Sequence, residues 1–122
     1  MRDILAGIGH SQECTEAQIH DLTAITGSAP AFVYQFAGVL EKMSIQYGVS
    51  EAQARALVAQ MLFGSARMLQ QGATPAELSD QVTSPGGATA AGTAVLNEGK
   101  FEQLVERAVE AVNARAKQLN KE

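Results

Sequence analysis

Apolar residues along this chain recur with helical spacing, and helix start and stop signals separate the runs. Three runs begin with a capping-box pattern, in which a Ser or Thr precedes a Glu or Gln by three residues, at Thr15, Ser50 and Thr74. Glycines stand where periodic runs stop, at Gly27, Gly48, Gly72 and Gly99. No stretch combines alternating polarity with β-branched enrichment. The sequence therefore predicts an all-α fold with no strands.

Six helices are predicted, over approximately residues 15–26, 28–47, 50–71, 74–82, 89–97 and 101–119. Gly27 is expected to end the first helix and Ser28 to cap the second, with Pro30 in its first turn, where a missing N–H does no harm. Thr89 is expected to cap the fifth helix, since a Thr hydroxyl accepts a hydrogen bond from an early backbone N–H.

The second and third helices have few polar faces. Their apolar residues are Phe32, Val33, Phe36, Val39, Leu40 and Met43 in the second, and Ala54, Ala56, Leu57, Val58, Ala59, Met61, Leu62, Phe63, Ala66 and Leu69 in the third. A helix that is apolar on nearly all sides must be surrounded, and six short helices from one chain do not easily surround two. The pattern favours an obligate dimer with a shared core. The alternative is a monomer with one very buried helix pair.

Composition narrows the function classes. The 122 residues are enough for one domain with a core, and the 46% hydrophobic content argues against disorder. A net charge of −4 gives no general attraction to nucleic acid or anionic membranes, and no run is long enough to span a bilayer. The single cysteine, Cys14, cannot form an internal disulfide and fits a reducing cytoplasm. Glu16 and His20 lack the further ligands of a metal site, so no metal is expected.

The segment Thr83–Thr89 (TSPGGAT) interrupts the helices and is the strongest candidate for chemistry. Pro85 fixes one φ angle, while Gly86 and Gly87 allow φ values closed to other residues. Successive backbone N–H groups beside the positive end of a helix suit a phosphate or a carboxylate. An ordinary turn that binds nothing is the alternative. A second concentration of Thr, Gly, Ser and Pro lies at 23–30, and the two turns could converge on one pocket.

A nucleotide-binding fold is not indicated. Gly7 and Gly9 resemble the start of a dinucleotide fingerprint, but position 12 is Gln12 rather than Gly. The few residues before Gly7 cannot supply the strand that the fingerprint follows. We therefore expect no Rossmann domain in this chain.

The two turns, in this order, resemble motifs in the C-terminal domain of pyrroline-5-carboxylate reductase, the last enzyme of proline biosynthesis. Thr23–Phe32 (TAITGSAPAF) is similar to the family pattern T-A-x-S-G-S-G-P-A-Y, and Gly64–Met68 (GSARM) is similar to G-[AS]-A-K-M. Pro75–Thr89 (PAELSDQVTSPGGAT) is similar to P-x-x-L-x-D-x-V-x-S-P-G-G-T-T. The resemblance extends over nearly the whole chain, and two residues depart from it: Ala29 replaces a Gly and Ala88 replaces a Thr.

The resemblance implies a helical bundle like the C-terminal domain of 6-phosphogluconate dehydrogenase, intertwined with a second chain as a homodimer that can assemble further. It implies a cyclic imine acid, 1-pyrroline-5-carboxylate, as substrate, bound at the dimer interface. Thr23 corresponds to a position near the imine and the nicotinamide, and Val82 to a position lining the pocket. The residues implied at the carboxylate are Ser84, Gly87, Ala88 and Thr89.

The resemblance also sets expectations about the complete enzyme. Residues 1–14 correspond to an inter-domain connection and residues 15–122 to the dimerisation and substrate-binding domain. NADPH or NADH is the expected cofactor of the complete enzyme and would be held by a separate domain. The isolated chain is therefore expected not to reduce its substrate. Two alternatives stay open: a non-catalytic helical dimerisation module, and a reductase of another cyclic imine acid.

Overall fold

The structure of the chain is a computed structural model, and it describes residues 9–119. Within that range the elements are six α-helices and one π-helical segment: α1 (Glu16–Thr23), the π segment (Ala24–Ser28), α2 (Ala29–Gln46), α3 (Glu51–Gln70), α4 (Pro75–Val82), α5 (Ala88–Glu98) and α6 (Phe101–Leu119). No strand occurs among these residues. The all-α fold predicted from the sequence is confirmed.

The three capping boxes form as predicted. In each box the hydroxyl of the capping residue accepts the backbone N–H three residues later at 3.2–3.3 Å. The Gln or Glu side chain in turn accepts the N–H of the capping residue at 2.8–3.0 Å, in the pairs Thr15–Gln18, Ser50–Gln53 and Thr74–Glu77. Each box satisfies two backbone donors that the first helical turn leaves unpaired. Gly48 and Gly72 follow α2 and α3 with φ of +96°, which confirms those two helix ends.

Gly27 does not end the first helix, contrary to the prediction. The chain continues from α1 through the π segment into α2, and Ser28 has helical backbone angles with no side-chain cap. The Ala29 N–H bonds to the carbonyl of Ala24, five residues back. Pro30 gives the physical reason, because inside a continuous helix its ring collides with the carbonyl four residues back, that of Thr26. The wider π turn relieves that collision and lets the helix continue.

Threonine hydroxyls support this widened turn. Thr23 Oγ1 donates to the Ile19 carbonyl at 2.6 Å, and Thr26 Oγ1 donates to the Leu22 carbonyl at 3.1 Å. Bonds of this kind satisfy carbonyls of the preceding turn and are common where a helix bends or changes its winding.

Helix packing within one chain is open. α3 packs along α2, α6 packs against α1 and the π segment, α4 packs on α3, and α5 packs on α6. The buried hydrophobic residues among the described ones are small: Ala24, Ala54 and Val58. Large apolar side chains of α2 and α3 are exposed, with Phe36 at 44% and Leu57 at 58%. The alternative of a monomer with one very buried pair is therefore wrong.

The solvent-accessible area of the chain is larger than that of a typical folded monomer. The chain exposes 10078 Å², whereas a folded monomer of this mass exposes about 6,300 Å². The excess of about 3,800 Å² is several times the ~800 Å² that each partner buries in an interface of standard size. A chain with this surface needs a partner to complete its core.

Candidate functional site

The segment between α4 and α5 folds as a tight turn with a defined geometry. The Ser84 carbonyl accepts the Gly87 N–H at 3.0 Å, and Gly86 has φ of +70°. Pro at the second position and a left-handed Gly at the third are the residues that a type II turn requires. The turn therefore follows from the Pro85–Gly86 pair.

Gly87 has no room for a side chain. A Cβ there would overlap Ser84 Oγ and lie 3.1 Å from the Ser84 carbonyl oxygen. Gly87 is the N-cap of α5, with φ −79° and ψ 172° and no side-chain capping bond. The prediction that Thr89 caps this helix is wrong, because the turn fixes Gly87 in an extended conformation and the helix begins directly after it. Thr89 is the second residue of α5.

The backbone donors at the start of α5 divide into two kinds. The Gly87 N–H is used inside the turn, so it is not available to a ligand in this conformation. The N–H groups of Ala88, Thr89 and Ala90 have no acceptor within residues 9–119. These are the three donors that a helix without a side-chain cap presents at its positive end. The site thus offers three parallel donors to an anion.

The chain on both sides of the turn is uncharged. Every residue from Gln81 to Asn97 is uncharged. Ser84 and Thr89 are exposed, Ala88 is exposed, and Val82 is 67% exposed. Thr83 Oγ1 is buried and has no hydrogen-bond partner among the described atoms. A carboxylate at the α5 N-terminus would meet hydrogen-bond donors and apolar surface.

Thr23 lies on neither of the two helices that flank this turn. It ends α1, and the π segment that follows packs against α1, α2 and α6, whereas α4 packs on α3 and α5 packs on α6. The predicted convergence of the two turns on one pocket stays a prediction.

One donor at the α5 N-terminus, the Ala90 N–H, was not among the residues predicted from the sequence. It belongs to the set because α5 begins at Ala88, which makes Ala90 the third helical residue. The Pro85–Gly86 pair in the sequence could have indicated this donor, because a type II turn over Ser84–Gly87 allows the helix to start at residue 88.

A second feature is an apolar groove between α2 and α6. Its cavity volume is about 420 Å³, and its lining residues are Phe32, Gln35, Phe36, Val39, Phe101, Leu104, Val105 and Ala108. We call this feature the α2–α6 groove. No residue within 9–119 fills it.

Two kinds of site are absent from the described part of the chain. No cluster of three or more His, Cys, Asp or Glu residues could hold a metal ion. No described helix is both long enough and apolar enough to cross a membrane.

The fold and the turn define a class: an all-helical association domain in which a helix without a side-chain cap begins at the end of an S-P-G-G turn. Residues 16–119 match the family model described as pyrroline-5-carboxylate reductase dimerisation. The chain belongs to this family, as the resemblance in its sequence implied.

Individual relatives agree with the family. The chain is 33% identical over 120 residues to pyrroline-5-carboxylate reductase 2 of Bacillus subtilis, covering 98% of this chain and 43% of the relative. It is 37% identical over 122 residues to pyrroline-5-carboxylate reductase 3 of Bos taurus, covering 99% of this chain and 40% of the relative.

Solved structures are similar as well. The pyrroline carboxylate reductase of Plasmodium falciparum, with NADP bound, superposes with a TM-score of 0.85 at 35% identity over 96% of this chain and 45% of that one. The 1-pyrroline-5-carboxylate reductase of Streptococcus pyogenes gives 0.87 at 30% identity over 96% of this chain and 46% of that one. The chain thus spans less than half the length of the relatives that it matches.

Proposed function

We propose that this chain supplies the dimer interface and the carboxylate-binding turn of a pyrroline-5-carboxylate reductase, the enzyme that reduces 1-pyrroline-5-carboxylate to L-proline. The observation that carries the proposal is the set of three unpaired N–H groups at Ala88, Thr89 and Ala90, presented by the S-P-G-G turn of a chain that belongs to this family. The protein acts as a homodimer, and we place it in the cytoplasm, where the exposed lone Cys14 stays reduced.

In this proposal the turn binds and orients the substrate. The carboxylate of the imine acid accepts hydrogen bonds from the N–H groups of Ala88 and Thr89, and the Ser84 and Thr89 hydroxyls add side-chain donors. Val82 contributes apolar surface beside the ring. Gly87 keeps the turn closed through its bond to Ser84, so it shapes the site rather than touching the substrate. Fixed dipoles of this kind hold a charged group without reorganising during the reaction.

Thr23 belongs to the other half of the proposed site, near the imine. Because the family resemblance implies a substrate site at the dimer interface, we assign Thr23 and the turn that completes its pocket to different chains of the dimer. Its hydroxyl hydrogen is directed to the Ile19 carbonyl, which fixes the side chain and leaves its oxygen lone pairs exposed. Residues 15–122 form the association and substrate-binding domain, and residues 1–14, of which 9–14 are described, form the connection to another domain.

The hydride donor of the complete enzyme, NADPH or NADH, supplies the two electrons of the reduction. A dinucleotide is bound by a strand–turn–helix unit, and residues 9–119 contain no strand. The described residues therefore do not fit this cofactor, and a different domain must hold it. We expect the purified 122-residue chain to show no NADPH oxidation with the imine substrate.

The proposal is tested by an NMR titration of the purified chain with L-proline, an unreactive cyclic carboxylate. We expect saturable shifts centred on the amides of Ala88, Thr89 and Ala90, with a smaller change at Gly87. Pyrrolidine, which has the ring without the carboxylate, is the matched control and should leave these amides unmoved. Unmoved amides with proline would instead support the second candidate, a dimerisation module that binds no substrate.

A further inference from the structure

The π segment between α1 and α2 changes which face of α1 points away from the chain. An α-helix turns by roughly 100° per residue, so side chains three or four residues apart share a face. In the π segment the Ala29 N–H bonds to the carbonyl of Ala24, five residues back, so this turn holds one residue more than an α-helical turn does. The side chains of α1 are therefore rotated by about one residue, or roughly 100°, relative to an unbroken helix.

Helical spacing indicates which side chains an unbroken helix would turn inward. The partly buried residues of α2 recur at helical intervals, at Pro30, Ala37, Leu40 and Ser44. Continued towards the N-terminus in steps of four and three, this series reaches Thr26 and then Thr23. An unbroken α-helix would thus place both threonines on the face that packs against the rest of the chain.

The structure has a different residue on that face. Ala24 is 0% exposed, whereas Thr23 and Thr26 are both exposed. Ala24 lies five residues before Ala29, which is itself partly buried, and the wide turn brings these two residues onto one face. The π segment therefore places an alanine in the core and moves Thr23 to the surface.

The local contacts make this rotation depend on the π segment rather than on the packing of α1. No residue of α1 is buried, so its packing offers little resistance to rotation. The bond from Thr23 Oγ1 to the Ile19 carbonyl lies within α1 and would turn with it. Pro30 prevents an α-helical turn, because it has no N–H to donate to Thr26 and its ring collides with that carbonyl. Gly27 leaves space beside Thr23, since a Cβ there would lie 3.4 Å from Thr23 Cγ2.

We propose that Pro30 is a positioning residue for Thr23. By excluding an α-helical turn, Pro30 rotates α1 so that the Thr23 hydroxyl lies on the surface, where the ring nitrogen of a cyclic ligand can donate a hydrogen bond to it. Pro30 touches no ligand, and its effect is transmitted through the backbone of the π segment. The contact between Thr23 and a ligand rests on the proposed function, whereas the rotation of α1 does not.

Hydrogen-bond scalar couplings measured by NMR test the rotation directly, because each coupling identifies the nitrogen and the carbonyl carbon that one hydrogen bond joins. In the natural chain we expect the Ala29 nitrogen to couple to the carbonyl carbon of Ala24. In Pro30→Ala we expect this coupling to be replaced by one to Ile25, four residues back, as an α-helix requires.

Pro75→Ala is the matched control for the coupling experiment. Pro75 is the first residue of α4, where a missing N–H does no harm, so its replacement should leave the Ala29 coupling at Ala24. A Pro30→Ala chain that keeps the coupling between Ala29 and Ala24 would overturn the role of Pro30.

A pair of ligands measures the effect on Thr23. L-proline and cyclopentanecarboxylate share the carboxylate and the ring size, but only proline has a ring nitrogen that can donate to Thr23. A change in the ratio of their dissociation constants therefore reports the contact at Thr23 separately from the carboxylate site. We expect Pro30→Ala to lower the preference for proline by roughly tenfold or more, as Thr23→Val does, and to leave the affinity for cyclopentanecarboxylate unchanged.

Deletion of Gly27 in the Pro30→Ala chain is the rescue variant. The deletion removes the additional residue that the π segment holds, so an unbroken α-helix then presents α1 in its natural rotation. We expect the preference for proline to return, which a merely structural role of Pro30 would not predict. A rewound Pro30→Ala chain that keeps its preference for proline, or a deletion that fails to restore it, would overturn the positioning role.

The outcomes separate this inference from the proposed function. A natural chain that binds neither ligand would overturn the proposed function and the ligand contact of Thr23, while the couplings would still decide whether Pro30 sets the rotation of α1. A chain that binds both ligands, and whose preference does not change in Thr23→Val, would overturn the ligand contact of Thr23 and leave the carboxylate site in place.

Discussion

Replacing Ala88 by proline removes one donor from the anion site and nothing else that the site needs. Ala88 is the first residue of α5, a position where proline is favourable because its φ is already helical and its N–H is unused by the helix. The residue before a proline must be extended, and Gly87 already has ψ of 172°. Ala88→Pro should therefore fold like the natural chain while presenting two N–H groups in place of three.

The size of the effect follows from the charge on the ligand. A hydrogen bond to a charged group contributes about 1.5–3 kcal/mol net, and each 1.4 kcal/mol is a factor of ten in affinity. Ala88→Pro should thus weaken binding of proline by roughly 10- to 100-fold. Ala88→Gly keeps the N–H and is the matched control, for which we expect a change of less than about threefold.

Calorimetric or NMR titration with L-proline gives the dissociation constants, and thermal unfolding at the same protein concentration checks the fold. The reasoning is refuted if Ala88→Pro is as stable as the natural chain and binds proline equally well. It is also refuted if Ala88→Gly loses as much affinity as Ala88→Pro, because the loss would then belong to the side chain and not to the N–H.

Three further substitutions test the local structure by denaturant or thermal unfolding at fixed protein concentration. Hydrogen bonds from the Thr74 backbone N–H, and secondarily from its hydroxyl, lower the pKa of the Glu77 carboxyl. The stability that the Glu77 carboxylate contributes is therefore present above its unfolded pKa and is lost as the pH falls through its folded pKa. Glu77→Gln should remove this acid dependence of stability, and an unaltered pH profile would contradict the assignment. Gly86→Ala should destabilise by about 1–2 kcal/mol because φ at Gly86 is +70°. Lys100→Gly should have the opposite sign, a stabilisation below about 1 kcal/mol, because Lys100 is held at φ 55°. A stabilising Gly86→Ala would contradict the first prediction, and a destabilising Lys100→Gly would contradict the second.

Helix starts were the most predictable part of the fold. A capping box is a local device in which two side chains and two backbone groups complete one another, so Thr15, Ser50 and Thr74 could be assigned without knowledge of the tertiary structure. Helix ends at Gly48 and Gly72 were predictable for the same reason, since the left-handed conformation is a property of the residue itself.

The errors arose where two local signals competed. Gly27 and Ser28 favour a break, but the apolar residues on both sides favour one continuous helix, and the π segment accommodates Pro30 without a break. At α5 the hydroxyl of Thr89 favoured an N-cap at that residue. The turn at Pro85–Gly86 instead leaves Gly87 extended, so the helix begins at Ala88 and Gly87 is its N-cap. The position of Thr23 relative to the turn is not predictable from local patterns, because it depends on how helices pack.

The type II turn lowers the conformational entropy that the backbone before α5 would lose when a ligand binds. Because the Gly87 N–H is bonded to the Ser84 carbonyl, the turn is closed before a ligand arrives. Fixing the backbone of one residue costs roughly 1–2 kcal/mol in conformational entropy. If the loop were flexible, each of its residues that became ordered on binding would make the binding free energy less favourable by that amount. Here the turn is ordered on folding, so the proposed carboxylate ligand would not have to order it on binding.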